Sequence, residues 1–589
     1  MPMPYYLTDR SKFADTTLPP KQEFYNQLID EAISDTDYDR AHRIWNTFDM
    51  KNLEQYHNFY LTADVLLLTD VFVNFRATML HDHGLDCLHF PSLPSMTFQM
   101  APKMTGAELE LMCDPDIYLM VESGIRGGIS CVSQRYARAN DPTLSNYDPH
   151  EPNSYLTYLD CNSLYATCQL QPLPVDEFRF LTQSEMEAFD LFSVGAYDDY
   201  GYILEVDLRY PENLHEAHNE YPMAPEHLQI TEDMLSPAIR RLLEQTKTEW
   251  KPTVKLCPNL YNKTSYVTHY RNLQFYVNHG LQITRIHRII SFRQKPFMQP
   301  FIEYCNDRRK TASSDFESDM YKLFANAFFG KTVENIRNRV NIRLIADPQK
   351  LLKATARAAF QRSEIINQDL VMVRSARAKI VLNKPISIGF TILELSQLIM
   401  YEFFYDCLKP KYGEKIHLCF TDTDSLICHV ETQDLRADMT QNMDWYDTSN
   451  FSPEHPLFST VNKRRLGKFK SETGDSAPAE FCGLRSKMYS LYTPTNDSKS
   501  YRKAKGVPKF HVRKNVRHQH YLHVLNTGNK TACTFRSFRS QNHVLTTRKI
   551  TKTCLSCIDD KRYLIDNVYS LAYGHKDIKK CSVNDGDDH

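Results

Sequence analysis

Apolar residues recur at helical spacing through Phe24, Leu28 and Ile33 and again from Leu53 to Phe75, which predicts helix across residues 21–80. Residues 123–135 contain Gly124, Gly127 and Gly128 and read as a flexible connector; residues 140–153, rich in Asn, Asp and Pro, read as a loop. The period then changes to two. Ser154–Asp160 alternates as a strand and ends on a carboxylate. Strands and loops mix over 175–297, with Pro211, Pro222, Pro225, Pro252 and Pro258 as breaks. Two helices are expected over 298–337, the second opening on Ser314-Asp-Phe-Glu317, a capping-box pattern. A mixed insert rich in Arg and Lys fills 340–385, and 386–408 reads as a buried helix. Beyond Arg517 the pattern is irregular, with weak strand signals near Leu545 and Tyr563.

The sharpest local pattern follows the buried helix. Ile416–Phe420 and Leu426–Val430 are short alternating runs, and Thr421-Asp422-Thr423-Asp424-Ser425 lies between them with turn chemistry. This predicts a hairpin with two acids at its tip. In extended backbone a spacing of two sends Asp422 and Asp424 to one side. Taken alone, the fragment reads rather as an ordinary polar turn.

Composition changes this picture little. The chain has 589 residues, 42% hydrophobic and 24% charged, enough for a multi-lobed globular protein. The apolar run Tyr60–Val73 is interrupted by Asp64 and Asp70, and no signal-like run opens the chain, so no membrane partner is expected and an intracellular setting is. The fifteen Cys read as reduced core thiols; the single CxxC, Cys554–Cys557, lacks a second pair at zinc spacing. Net charge is only −2, yet Lys463–Arg517 carries fifteen Lys/Arg against four Asp/Glu, with aromatics and glycines interleaved. Such a strip suits a phosphate backbone, or a solvated charged face.

Asp160 at a strand end reads alone as an exposed acid, but with Asp424 it offers a metal pair. Lys322, Asn326, Phe329 and Gly330 share one helical face, where a cation, an amide, a ring and a glycine could receive a nucleotide, with Lys310 adding charge from the preceding helix. Two Mg²⁺ between such carboxylates and a triphosphate would perform nucleotidyl transfer.

Taken in order, D-x-x-S-L-Y (Asp160–Tyr165), K-x-x-x-N-x-x-F-G (Lys322–Gly330), F-x-D-T-D-S (Phe420–Ser425), L-G-x-x-x-x-E (Leu466–Glu472) and K-x-Y (Lys487–Tyr489) resemble the ordered motifs of family B DNA polymerases. The ninety-one residues between Gly330 and Asp422, and the stretches GYILEVDLRYPENLHEAHNEYP, NKPISIGFTILELS and DDKRY…LAYGH, resemble the protein-primed, Polinton-like branch. The resemblance implies an α+β right-hand polymerase of palm, fingers and thumb, preceded by a remnant of an RNase H-like exonuclease domain. It implies Asp160 and Asp424 as ligands of two Mg²⁺, with Mn²⁺ as a substitute, and Asp422 in support. Tyr165 would be the steric gate against ribose. Lys310, Lys322, Asn326, Phe329 and Gly330 would meet the incoming dNTP. Lys487 and Tyr489 would hold the primer end, and Arg126, Gly127 and Gly128 the template. Ala166, Ala327, Phe329 and Phe420 depart from the usual residues without removing a metal ligand. Tyr60 and Asp64 resemble the third exonuclease motif, but no D-x-E precedes them, so the chain looks truncated at its front and no 3′→5′ proofreading is expected.

The expected organisation is an exonuclease remnant over 1–120, a linker motif and first palm segment over 121–174, and a palm and terminal-protein-contacting region over 175–297. Fingers follow over 298–339, an insert resembling a second terminal-protein region over 340–385, palm over 386–505 and thumb over 506–589. The expected partners are primer-template DNA, dNTPs and a terminal protein primer. A catalytically silent DNA-binding remnant is the competing reading. A reverse transcriptase fits less well, because those enzymes usually place the hairpin aspartates side by side.

Overall fold

Every residue from Ile386 to Tyr401 except Ile399 is buried, so this helix has no polar face to offer solvent. In the computed structural model, which describes residues 10–377, 379–494, 500–541 and 544–578, it forms the central post. It packs on the helices Leu164–Gln169 and Asp315–Thr332 and on the strand Leu173–Phe180. It continues as a π-helical stretch, Glu402–Leu408, and a last turn, Lys409–Tyr412. The combined run is long and apolar enough to cross a membrane, but 89% of its most apolar window is buried in protein, as expected of a core helix.

One carboxylate lies within this apolar post. Glu394 accepts from the Thr268 hydroxyl at 2.6 Å and the His269 amide at 3.1 Å, and pairs with Arg126 at 3.3 Å. Burial pushes the Glu394 carboxyl up, and Arg126 opposes that shift. Arg126 also donates to the Val267 carbonyl at 2.9 Å and lies 3.8 Å over the Tyr266 ring. The residue expected at the template is therefore a buried anchor of the core.

The post supports a six-stranded sheet: β1 (Ser130–Val132), β2 (Ser154–Cys161), β3 (Ile416–Asp422), β4 (Ser425–Glu431), β5 (Tyr446–Asp447) and β6 (Phe469–Ser471), ordered β1-β3-β4-β2-β6-β5. All pairs are antiparallel except β5-β6. The expected hairpin is β3-β4. The supposed connector 123–135 is only partly a connector, because β1 within it closes the sheet edge against β3.

Four further units attach. Tyr136–Arg138, Glu480–Arg485, Met488–Tyr492 and Tyr501–Ala504 form a second sheet beside the first. Leu173–Phe180, Tyr200–Arg209, Lys263–His269 and Gln282–Lys295 form a third, within the expected 175–297 region. The predicted finger helices are Gln299–Thr311 and Asp315–Thr332. The Ser314 cap forms, but Glu317 reaches back to the Ser313 amide, so the capping box is displaced by one residue. The insert is a three-stranded sheet with one helix, Pro348–Thr355.

The ends depart most from expectation. Residues 10–120 contain helices and no β-strand among the described residues, so the sheet of an RNase H-like domain is not found there. The 31-residue helix Leu53–His83 leaves Leu61, Leu66, Leu67, Leu68 and Val71 exposed. After Arg517 the chain is regular: a helix, His518–Thr527, precedes a long hairpin, Thr531–Gln541 with Val544–Leu555. The weak signal at Leu545 belongs to the strand Val544–Leu555, on which Leu545 itself is exposed among Thr, Arg and Lys residues. Residues 559–578, expected with the thumb, return to the central sheet. There Arg562, fully buried, donates to the Asn219 carbonyl at 2.8 Å, and Lys561 donates to the Ser130 carbonyl at 2.9 Å.

Breaking the Arg126–Glu394 pair leaves a carboxylate buried alone. Arg126→Met should lower unfolding free energy by about 3–5 kcal/mol, and adding Glu394→Gln should restore much of that loss. Denaturant unfolding measures both, and a purely template-binding Arg126 would leave stability unchanged.

Candidate active site

Strand register decides what the hairpin tip meets. Ser425 lies opposite Asp160, and the Cys161 amide donates to the Asp424 carbonyl at 2.7 Å. Asp160 at the end of β2 and Asp424 at the head of β4 are thus brought together from positions far apart in sequence. Both are half-buried. Burial pushes the Asp160 carboxyl up to about 8, reinforced by the charges of Asp424 and Glu472 and opposed by Lys322 and Lys470. Asp424 is also raised, chiefly by burial, with Lys322 and Lys487 opposing.

The tip is not extended. Thr423 has φ +66°, and the Asp424 amide folds back to the Asp422 carbonyl at 2.8 Å. The strand period therefore fails at the point where it was used to place both acids on one side. Asp422 instead forms an ion pair with Lys487 at 2.9 Å. The turn is braced from β1: the Thr423 amide donates to the Ile129 carbonyl at 2.7 Å. Gly128 makes that approach possible, since a Cβ there would overlap the Thr423 side chain, 2.8 Å from its Cβ. Gly127 faces open space and gives its carbonyl to Gln397 at 3.4 Å.

The finger helix Asp315–Thr332 closes one side. Lys322, Asn326 and Gly330 are exposed and Phe329 is buried. A Cβ at Gly330 would meet nothing within 4 Å, so that part of the face is open. The Lys322 charge opposes the upward shift of both Asp160 and Asp424, so it lies within electrostatic reach of the two carboxylates. Phe329 stacks on Tyr165 with ring centroids 4.4 Å apart at 23°. Lys310 pairs with Asp307 at 3.0 Å. Its neighbour Arg309 reaches the site instead, donating to the Ser163 hydroxyl at 3.2 Å, while Arg464 donates to the Arg309 carbonyl at 3.3 Å. Arg309 was visible only as one of three consecutive cations; the helix's rotation about its axis decides which of them faces inward, and sequence does not give that.

The remaining motifs converge as well. The Asn162 amide donates to the Lys468 carbonyl at 2.9 Å, and the Glu472 amide to the Tyr158 carbonyl at 2.8 Å, so the L-G-x-x-x-x-E segment lines β2. Tyr489 lies beneath the site: it is 2% exposed, with its hydroxyl 3.0 Å from that of Tyr158. Lys487, half-exposed at a turn with φ +59°, remains beside the carboxylates. Within the basic strip Lys468 folds onto the Asp444 carbonyl and Lys514 onto the Asp30 carbonyl. Tyr60 and Asp64 lie on the helix Leu53–His83, away from these motifs, and Asp64 is exposed.

The donor set suits hard divalent cations. Two half-buried carboxylates repel each other, the lysines nearby do not cancel the effect at Asp160, and oxygen ligands of this kind bind Mg²⁺. Because the tip is placed by contact with β1, Gly128→Ala should shift Asp424 and lower any nucleotide incorporation about a hundredfold. Adding Thr423→Gly, which removes the overlapping side chain and suits the positive φ, should restore most of it in single-turnover assays.

The chain is similar in fold to solved structures of phi29 DNA polymerase. With primer-template DNA and incoming nucleotide substrates, the identity is 14%, coverage is 81% of this chain and 69% of that one, and the TM-score is 0.48. With primer-template DNA in a post-translocation binary complex, the values are 13%, 81%, 70% and 0.48. For the orthorhombic crystal form they are 13%, 82%, 70% and 0.47. No curated protein matched in sequence. The family described as DNA polymerase type B, organellar and viral, matches residues 20–406, well over half of the chain and including the Asp160 and Lys322 motifs; Asp422 and Asp424 lie beyond the matched segment and join the site through the β2-β4 register. The chain belongs to the organellar and viral type B DNA polymerases.

Proposed function

We propose that this chain is a template-directed DNA polymerase that adds deoxynucleotides to a primer 3′ end or to the hydroxyl of a priming protein, in the replication of a viral or transposon-like element. The observation that carries this reading is the juxtaposition of Asp160 and Asp424 across β2-β4, with Lys322 acting on both. Asp160 and Asp424 would hold two Mg²⁺, or Mn²⁺ in their place; such ions, when bound, neutralise charge developing on the attacking and leaving oxygens.

The chain's own groups supply the rest. Lys322 draws the triphosphate to the carboxylates, with Arg309 and Lys310 adding positive charge from the neighbouring helix. Tyr165, held in place by its stack on Phe329, occupies the space beside the sugar and excludes a 2′-hydroxyl. Lys487 holds Asp422 and stands where a primer terminus would approach the carboxylates. Asp64 is one exposed carboxylate, and a nuclease using two ions needs more, so proofreading is not assigned to this chain. The Polinton-like stretches support priming by a terminal protein and action inside a host cell, at a nucleus or viral replication site.

Asp424→Asn should reduce primer extension by roughly a thousandfold or more while primer-template binding is retained. Near-normal extension by that variant would sink the assignment, and DNA binding without extension by the unaltered chain would establish the silent alternative. Tyr165→Val should raise ribonucleotide incorporation relative to deoxyribonucleotide incorporation at least about tenfold, a shift of about 1.4 kcal/mol in relative barrier. Matched kcat/KM values on one primer-template measure it; a fall in both activities at constant ratio would leave Tyr165 a packing residue.

A further inference from the structure

The CxxC at Cys554–Cys557 does not act as a pair. Cys557 points toward the Gly528 carbonyl, 3.7 Å away, and its own carbonyl accepts from Arg135 at 2.7 Å. Cys554 turns elsewhere. In the C-terminal hairpin Thr531 lies opposite Leu555 and Ala532 opposite Thr553, so a bulge leaves Cys554 without a cross-strand partner. A bulge re-aims the extra side chain. Here it turns the thiol inward beside Cys533, and the two are only 4% and 3% exposed. The third group comes from another element. His511, on the helix Lys509–Asn515, places a ring nitrogen so that it and the two sulfurs all lie within 4.8 Å of one another.

We propose that His511, Cys533 and Cys554 form a thiolate-rich metal site of the zinc class, separate from the polymerase carboxylates, that ties the helix Lys509–Asn515 to the base of the C-terminal hairpin. Two thiolates and an imidazole select a borderline or soft ion over Mg²⁺. Tetrahedral zinc with sulfur ligands at about 2.3 Å and nitrogen at about 2.0 Å sets its ligand atoms about 3.5–3.8 Å apart, so the cluster, whose ligand atoms lie within 4.8 Å of one another, needs a contraction of at most about 1.3 Å. Binding would release the two thiol protons to solvent and leave a fourth position for water, reached from the half-exposed His511 side. Asn515, one turn along the same helix, lies 3.2 Å from His511 Nδ1; with its amide turned so that the oxygen accepts from Nδ1–H, Nε2 would be left to the metal. The gain is mechanical: one ion would lock the relative orientation of helix and hairpin.

The test uses the full chain, purified in reductant, loaded with zinc and desalted, followed by metal analysis and by Co²⁺ substitution. The expected result is one zinc per chain and a thiolate-to-cobalt charge-transfer band, a signature that the active-site carboxylates cannot give. Cys533→Ser and Cys554→Ser should abolish the band and the zinc-dependent rise in Tm, while Cys557→Ser should keep both. Absence of the band in the unaltered chain, or its survival in the Cys533→Ser/Cys554→Ser double variant, would overturn the proposal. So would a Cys533–Cys554 disulfide that, once reduced, takes up no metal.

Discussion

Two carboxylates of like charge, Asp160 and Asp424, are held half-buried on adjacent antiparallel strands, and much of the surrounding structure serves to keep them there. Left free, they would separate or take up a proton; burial first, and the Asp424 charge after it, raise Asp160. The restraint comes from the backbone. The Cys161 amide binds the Asp424 carbonyl, the Thr423 amide binds the Ile129 carbonyl, and Glu220 ties down β3 through the Leu418 amide at 2.8 Å and His417 at 2.8 Å. A site so restrained is ready for cations, because the cost of bringing the charges together has been met in folding.

The restraints reach well beyond the hairpin. Glu220 belongs to the same loop as Asn219, which Arg562 holds from the far C-terminus. Arg126 anchors the start of the segment that delivers Gly128 to Thr423. Segments that contribute no residue to the carboxylate site itself thereby set the position of the acids. The stretches that resembled one polymerase branch, HEAHNEYP and DDKRY…LAYGH, prove to be neighbours in space, joined by Arg562 to Asn219 and by the Ala572 amide to the Asn219 side chain at 2.8 Å.

On the opposite side the helix Asp315–Thr332 meets the helix Leu164–Gln169, which follows β2, through the Tyr165–Phe329 stack, while Lys322 and Asn326 stay exposed. A ring pair packed this way is rigid at little entropic cost. It ties the helix to the segment that follows β2 and leaves the cationic face open.

The amino-acid sequence by itself determined the elements whose signal is local: the alternation of β2 and of the β3-β4 hairpin, the capped finger helix, the apolar post Ile386–Tyr401, and the identity of the acids and of Lys322. Tertiary structure decided what depends on register and rotation. It placed Asp424 by pairing Ser425 with Asp160, turned Asp422 toward Lys487 through the positive φ of Thr423, and selected Arg309 over Lys310 as the cation facing Ser163. It buried Arg126 and Tyr489, which the motifs had put at the template and primer, because long-range partners, Glu394 and Tyr158, satisfy them inside. It also separated Cys554 from Cys557, because a single bulge reverses the face a side chain presents, and no spacing in the sequence records a bulge.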